Sequence, residues 1–337
     1  MILDGQSPHS IAAAAQALQR GDLLGLPTET VYGLAADAGN DAAVAKIFAA
    51  KGRPSNHPLI VHVASAQGVQ RFADQVPAFA HKLIDAFWPG PLTLILPRRP
   101  DVAAVAAGGQ NSVGLRCPSH PVAHAVLRQA ETLGVFGVAA PSANLFGRVS
   151  PTTAAHVASE FDEALLVIDG GACDVGIEST IVDCTRATPV LLRPGVLTPQ
   201  QLSDACGVPV RTPTVPDTDA PRASGTLDSH YAPRARVQLM TADALQQAID
   251  HAARQSPSSE LTAIWSRSPL QLPRVKAAQF HWQPMPETAQ AAAHDLFAQL
   301  RAFDAQGADH IWVEVPPPEA AWDGVRDRLI RAATPTR

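Results

Sequence analysis

Short apolar runs, separated by turn residues, alternate with segments of helical period along most of the chain. Ile11, Ala14, Ala15 and Leu18 share one face of a helix expected over 10–20, with Ser10 placed to cap it. "DLLGLP" at 22–27 then reads as a short buried strand. "DAAVAKIFAAKG" at 41–52 reads as a helix with Asp41 near its cap and Gly52 at its exit. "PLIVHV" is a strand, "VPAFAHKLIDAFW" a helix, Trp88-Pro89-Gly90-Pro91 a turn and "LTLILP" the next strand. "VGLRCP", "GVFGVAAP", "ALLVID", "STIVDC" and "VLLRPG" continue as strands, with helices at about 120–130 and 152–161. Strands and helices mix without strict alternation, which predicts an α/β or α+β domain built on a twisted, mixed sheet.

The texture changes from 209 to 233. Pro209, Pro213, Pro216, Pro221 and Pro233 punctuate a polar stretch that ends in "SGTLDSHYAP" and reads as a semi-extended linker. Beyond it the pattern becomes regular again. "RVQLM", a helix at 242–254, "LTAIWS", a strand near 275–282, a helix at 287–303, "HIWVEV" and a helix at 319–333 predict a small α/β, Rossmann-like domain with a parallel sheet. The expected organisation is therefore a first domain over 1–207, a Pro-rich linker or lid over 208–234 and a C-terminal α/β domain over 235–337. Neither G-x-G-x-x-G nor G-x-x-x-x-G-K-[ST] occurs, so a standard dinucleotide or P-loop site is not expected.

Composition narrows the class. Apolar residues make up 46% of the 337 positions, enough for a large core, and a net charge of −5 argues against a broad nucleic-acid-coating surface. The four cysteines form no C-x-x-C pair and read as reduced thiols of a cytosolic protein. No run reaches the ~18 apolar residues of a membrane span, so a soluble, cytoplasmic protein is expected. Lysine is rare, at 46, 51, 82 and 276, so a lysine beside a functional-looking turn draws attention.

The candidate chemistry lies at strand ends. Lys51 and Arg53 place two long cations on one turn, as a solvated helix terminus or as a phosphate clamp. Thr28, Thr30 and Tyr32 are either ordinary strand formers or a hydroxyl-rich loop facing a ligand. Ser142, Asn144 and Ser150 surround a strand exit, where Ser150 is either a helix cap or a phosphate contact. Arg116 and Arg193 each end an apolar run and need an anion, from an internal carboxylate (Glu29, Glu178, Asp183) or from a ligand. His62 alternates within its strand as a core histidine or a ligand contact. His57 and His62 match no zinc spacing, and Ser142 lacks the G-x-S-x-G and acid–histidine partners of a serine hydrolase. Cations with the hydroxyls of Thr30, Ser112, Ser142, Ser150 and Ser179 suit a small anion plus a polyphosphate.

"PTETVYGL", "KIFAAKGRPSNHPLIVHV", "FWPGPLTLIL", "VGLRCPSHP", "APSANLFGRVSPT", "GIESTIVD" and "LLRPG" resemble, in order, the YrdC-like domain of the threonylcarbamoyl-AMP synthases. The linker, "HYAP" and the tail are similar to the two-domain branch of that family. The resemblance implies a twisted α/β sheet around a central, positively charged cavity. It implies a nucleotidyltransferase that condenses L-threonine, bicarbonate or CO2, and ATP, with Mg2+, into threonylcarbamoyl-AMP and pyrophosphate. The product would feed threonylcarbamoylation of adenosine 37 of tRNA through a separate transferase complex, with no stable nucleic-acid complex and no membrane contact of its own.

Carried over by motif, Lys51 and Arg53 would act on the ATP phosphates. His57, Ser112, Ser142, Asn144, Ser150, Arg193 and Tyr231 would complete the nucleotide site. Thr30, His62, Arg116, the backbone of Ala140 and Ser179 would bind threonine. Two departures stand out: His57 replaces a frequent asparagine, and Leu227 and Asp228 replace polar residues of the linker. A basic RNA-binding module is the competing reading, disfavoured by the acidic balance and by an aromatic content of 5%. A carbamoyl-phosphate-dependent enzyme would carry acylphosphatase and zinc-finger parts, which the sequence does not show.

Overall fold

The computed structural model describes residues 1–213, 220–226, 230–254, 259–273 and 279–334. It divides into two compact units, Met1–Phe146 with Ser150–Thr226, and Gly147–Val149 with Leu227–Arg337. Leu227 and Asp228, the divergent linker positions, lie outside the described residues.

The first unit holds strands β1 (Ile2–Asp4), β2 (Leu24–Leu26), β3 (Gly33–Asp37), β4 (Ile60–His62), β5 (Leu92–Pro97), β6 (Ser112–Arg116), β7 (Val138–Ala139), β8 (Leu166–Asp169), β9 (Thr180–Asp183) and β10 (Val190–Arg193). Its helices are α1 (Pro8–Gln19), α2 (Asp41–Lys51), α3 (Val69–Phe72), α4 (Ala78–Phe87), α5 (Pro121–Thr132), α6 (Ala154–Ala158) and α7 (Pro199–Cys206). The sheet runs β1-β8-β2-β3-β7-β4-β6-β5-β9-β10 and mixes parallel and antiparallel pairs, as the uneven alternation predicts. Buried Leu34, Ile47, Val61, Leu94 and Leu115 belong to one apolar cluster, and Leu18, Leu24, Val126 and Ile168 to another. All four cysteines are free and buried, so no disulfide contributes.

Helix ends differ from the sequence reading for local reasons. α1 begins at Pro8, where a fixed φ and a missing N–H suit the first turn, so Ser10 is inside the helix rather than its cap. Asn40, not Asp41, caps α2 by accepting from the Ala43 amide. Thr153 caps α6 by accepting from the His156 amide, which removes the capping role considered for Ser150. β1 and β3 were not expected. β1 is mostly exposed and pairs with β8, more than 160 residues away, so nothing local announces it. β3, "GLAAD", carries weak strand formers and is fixed by β2 on one side and β7 on the other.

The second unit holds β11 (Arg236–Met240), β12 (Leu261–Ser266), β13 (Gln279–Pro284) and β14 (His310–Glu314), with α8 (Ala242–Arg254), α9 (Ala289–Ala305) and α10 (Asp323–Ala333). Its sheet is fully parallel, in the order β11-β14-β12-β13, which matches the expected Rossmann-like architecture. No described helix is long and apolar enough to cross a membrane.

Candidate active site

Sheet register gathers the strand-end residues of the first unit. β4 and β6 run parallel, so His62 pairs with Arg116. The Ala140 amide donates to the Ile60 carbonyl at 3.0 Å, and Ser142 bridges Gly33. Arg116 is buried: its Nη2 stands 2.7 Å from Glu29 Oε1, Nη1 donates to Thr30 Oγ1 at 2.8 Å and Nε to the Gly90 carbonyl at 3.3 Å. Burial pushes the Glu29 carboxyl up, but the charge and close contact of Arg116, together with the backbone amides of Glu29 and Ser119, outweigh it and hold the group below its usual range. His62 is buried and donates from Nδ1 to the Ile60 carbonyl at 3.2 Å. Burial, then the nearby Arg116 charge, pushes its pKa down to about 3, so the ring is neutral.

The second cluster is cationic. Gly52 ends α2 at φ 62°, a left-handed turn that suits glycine and lets the chain leave the helix between Lys51 and Arg53. Lys51 is buried with its Nζ donating to the Ser142 carbonyl at 2.6 Å and to the Asn144 carbonyl. Burial, then the Arg53 charge, holds its ammonium well below the ordinary lysine range. Arg53 Nη2 donates to the Pro58 carbonyl at 3.0 Å and reaches Ser224 Oγ at 3.4 Å. Arg193 donates from Nε and Nη2 to the Ser179 carbonyl at 3.1 and 2.9 Å, and from Nη1 to the Ser224 carbonyl at 2.8 Å. Ser179 Oγ is 2.7 Å from Thr93 Oγ1. The solvated-terminus reading of "KGR" therefore fails, because both cations are buried.

A cleft lined by Pro58, Ile60, Thr93, Ser112, Gly114 and Ser224 adjoins the cationic cluster, since Pro58 and Ser224 are hydrogen-bond partners of Arg53, and Ser224 also of Arg193. Gln110 and Arg222 close one wall: the Arg222 amide donates to Gln110 Oε1 at 2.8 Å, and Gln110 Nε2 donates back to the Arg222 carbonyl at 3.2 Å. Neither Gln110, Thr93 nor Ser224 was expected from sequence; Ser224 sits in an aperiodic Pro- and Ser-rich stretch with no signal of its partner. His57 packs edge-on to Phe146, with burial and then the Arg53 and Arg222 charges lowering its pKa. Near neutral pH it is thus an uncharged hydrogen-bonding group, as an asparagine would be.

Ser150 donates to Glu178 Oε1 at 2.5 Å, both buried. Tyr231 belongs to the second unit, where its ring packs against Phe297 and His230 and is fully buried. Among the described residues no His, Cys, Asp or Glu cluster could hold a metal ion.

Gly195 fixes the Arg193 end by close approach. A Cβ there would stand 2.6 Å from both the amide nitrogen and Oγ1 of Thr180, and 3.0 Å from the Ser179 carbonyl carbon. Gly195→Ala is therefore expected to cost about 1–3 kcal/mol by forcing the backbone apart. An unchanged urea midpoint would contradict this.

Comparison with known proteins supplies the remaining facts. Residues 16–195 match the Sua5/YciO/YrdC family, described as "Telomere recombination", and residues 197–334 match the Sua5 C-terminal family, described as "Threonylcarbamoyl-AMP synthase, C-terminal domain". The threonylcarbamoyl-AMP synthase of Pyrococcus abyssi is 36% identical over 331 residues, covering 96% of this chain and 94% of the relative. That of Bacillus subtilis is also 36% identical, covering 96% of this chain and 92% of the relative. The crystal structure of P. abyssi Sua5 complexed with L-threonine superposes with a TM-score of 0.85 at 34% identity, covering 96% of this chain and 94% of that one.

Proposed function

Because this chain belongs to the Sua5/YrdC family of threonylcarbamoyl-AMP synthases, we propose that it condenses L-threonine, bicarbonate or CO2, and ATP into threonylcarbamoyl-AMP and pyrophosphate. The observation that carries the reading is the burial of Lys51, Arg53, Arg116 and Arg193 in one unit, with Arg53 and Arg193 bonded to residues that line a cleft. Desolvated cations of this number ask for a polyanion. Arg116, flanked by Thr30 and His62, takes the threonine carboxylate; Ser179 and the Ala140 backbone complete that end. Lys51, Arg53 and Arg193 take the phosphates, with Ser142, Asn144 and Ser150 along the same edge and His57 and Ser112 toward the nucleoside.

The amine forms a carbamate, whose oxygen attacks the α-phosphorus of ATP and displaces pyrophosphate. Such a displacement needs alignment and charge neutralisation more than a protein nucleophile. Lys51, Arg53 and Arg193 neutralise the leaving pyrophosphate. Mg2+ enters as part of the ATP substrate. Glu29 faces Arg116 and Glu178 accepts from Ser150, so neither joins a carboxylate cage, and the phosphates hold the ion. The product serves a separate threonylcarbamoyl transferase acting on tRNA, in the cytoplasm.

Incubation with ATP, Mg2+, bicarbonate and single amino acids, followed by mass spectrometry, tests this. Threonine is expected to yield the threonylcarbamoyl-AMP mass with stoichiometric pyrophosphate, and omission of bicarbonate to suppress both. Pyrophosphate release that ignores threonine would overturn it.

A further inference from the structure

We propose that Glu29 receives the α-ammonium of the amino acid substrate and accepts its proton ahead of carbamate formation. This rests on the reading of the site above and adds a base to it. Glu29 is 4% exposed and sits in the turn between Thr28 and Thr30. Its Oε1 stands 2.7 Å from Arg116 Nη2 in an ion pair, and the backbone amides of Glu29 and Ser119 also favour its charged form, yet none of these contacts is a well-aligned hydrogen bond to either carboxylate oxygen. A buried carboxylate with unused acceptor sites is costly, and such groups call for an explanation. An ammonium brings three donors and a positive charge, which is what those oxygens lack.

The pairing also has the right polarity. An amino acid is a zwitterion, with its two charges on neighbouring atoms of one carbon. Arg116 and Glu29 present a cation and an anion in contact. The substrate carboxylate on Arg116 therefore brings the ammonium to Glu29, and Thr30, already bonded to Arg116, borders both.

The chemistry requires such an acceptor, since an ammonium has no lone pair. Glu29 takes one proton, leaving a free amine and a neutral carboxylic acid. The amine nitrogen attacks the bicarbonate carbon, and the N–C bond forms. The second N–H proton leaves with the departing hydroxide as water, giving the carbamate anion. Glu29 returns its proton to solvent after product departs. No atom changes oxidation state.

Substrate binding tunes the base. Burial raises the Glu29 pKa and Arg116 lowers it. Once the substrate carboxylate shares Arg116, the largest lowering influence weakens and burial is opposed chiefly by the backbone amides of Glu29 and Ser119, so the carboxylate becomes more basic than in the free protein. The other titratable groups facing Glu29 are Arg116, His62, Cys117, His124 and Cys173. Burial lowers His62 and His124 and raises the Cys117 thiol to about 11 and Cys173 further, so none of them is a comparable acceptor.

Glu29→Gln keeps the shape and removes the base. At about pH 7 its kcat is expected to fall at least ~100-fold, the scale of general-base loss, while ATP affinity stays within about twofold. At about pH 9.5, where the substrate arrives largely as free amine, most of the deficit should disappear. A deficit equal at both pH values, or one confined to the threonine KM, would assign Glu29 only to holding Arg116 and would overturn the inference. If Glu29→Gln no longer binds ATP, Glu29→Asp takes its place: a shortened carboxylate should give a smaller deficit with the same alkaline recovery, and a pH-independent loss would again refute the role. A wild-type protein that makes no threonylcarbamoyl-AMP would instead refute the assigned reaction.

Discussion

Arg116→Ala is expected to cost about 3 kcal/mol of stability near neutral pH, the scale seen when one partner of a buried ion pair is removed, and to abolish threonine-dependent product formation. The side chains of Arg116 and Glu29 are 4% and 5% exposed, so water cannot take over from the lost guanidinium. Thr30 Oγ1 and the Gly90 carbonyl lose a donor as well. The double variant Arg116→Ala/Glu29→Gln should regain most of the loss, because no uncompensated charge remains. Urea unfolding of the three proteins measures this, and a single variant as stable as the double would remove the argument.

The pH dependence should reverse sign. In the native protein the folded-state pKa of Glu29 lies below its ordinary value of 4.5. Its ion pair thus stabilises fully above that value, and the contribution is lost as the pH falls through the folded-state pKa. Without Arg116, burial, the largest influence on the group, is opposed only by the backbone amides of Glu29 and Ser119, and the carboxyl is expected to titrate above its unfolded value. The single variant should then gain stability as the pH falls from neutral toward 4.5, where the native protein gains nothing from this group.

Which carboxylate meets which arginine was beyond the sequence. Glu29, Glu178 and Asp183 were equivalent candidates, each beside a strand terminus. The fold separates them: Glu29 pairs with Arg116, Glu178 accepts from Ser150, and Asp183 pairs with Arg186 at 3.0 Å. These choices depend on sheet order, in particular β6 lying between β4 and β5, and no local pattern encodes sheet order. By contrast, the helix ending at Lys51 and most strand ends were legible, because apolar runs and a terminal glycine mark them locally. Ser224 and Gln110 were illegible for the opposite reason. Gln110 bonds to Arg222, 112 residues later, and Ser224 to Arg53, 171 residues earlier, and the Pro-rich stretch that holds Arg222 and Ser224 has no period.

Lys51→Met is expected to lower turnover at least ~100-fold, the scale set by removing one fixed charge-stabilising donor, with circular dichroism unchanged. Methionine keeps most of the volume, so the loss reports charge rather than a cavity. The Ser142 and Asn144 carbonyls each lose their bond from Nζ, a cost of about 1–3 kcal/mol, partly offset because a buried ammonium is itself costly. That offset fixes the sign of the pH effects. The folded-state pKa of Lys51 is below its unfolded value, so its burial destabilises at lower pH and the penalty is relieved as the pH rises between the two values. A triphosphate favours the charged form, so ATP binding takes up a proton once the pH exceeds the depressed pKa. Native ATP affinity should therefore weaken with rising pH in that range, and the affinity of Lys51→Met should lack this component. Titration calorimetry in buffers of different ionisation enthalpy reads the proton uptake directly. If Lys51→Met bound ATP as tightly as the native protein, with the same proton uptake, Lys51 would be a staple for the 142–144 segment and no part of the phosphate site.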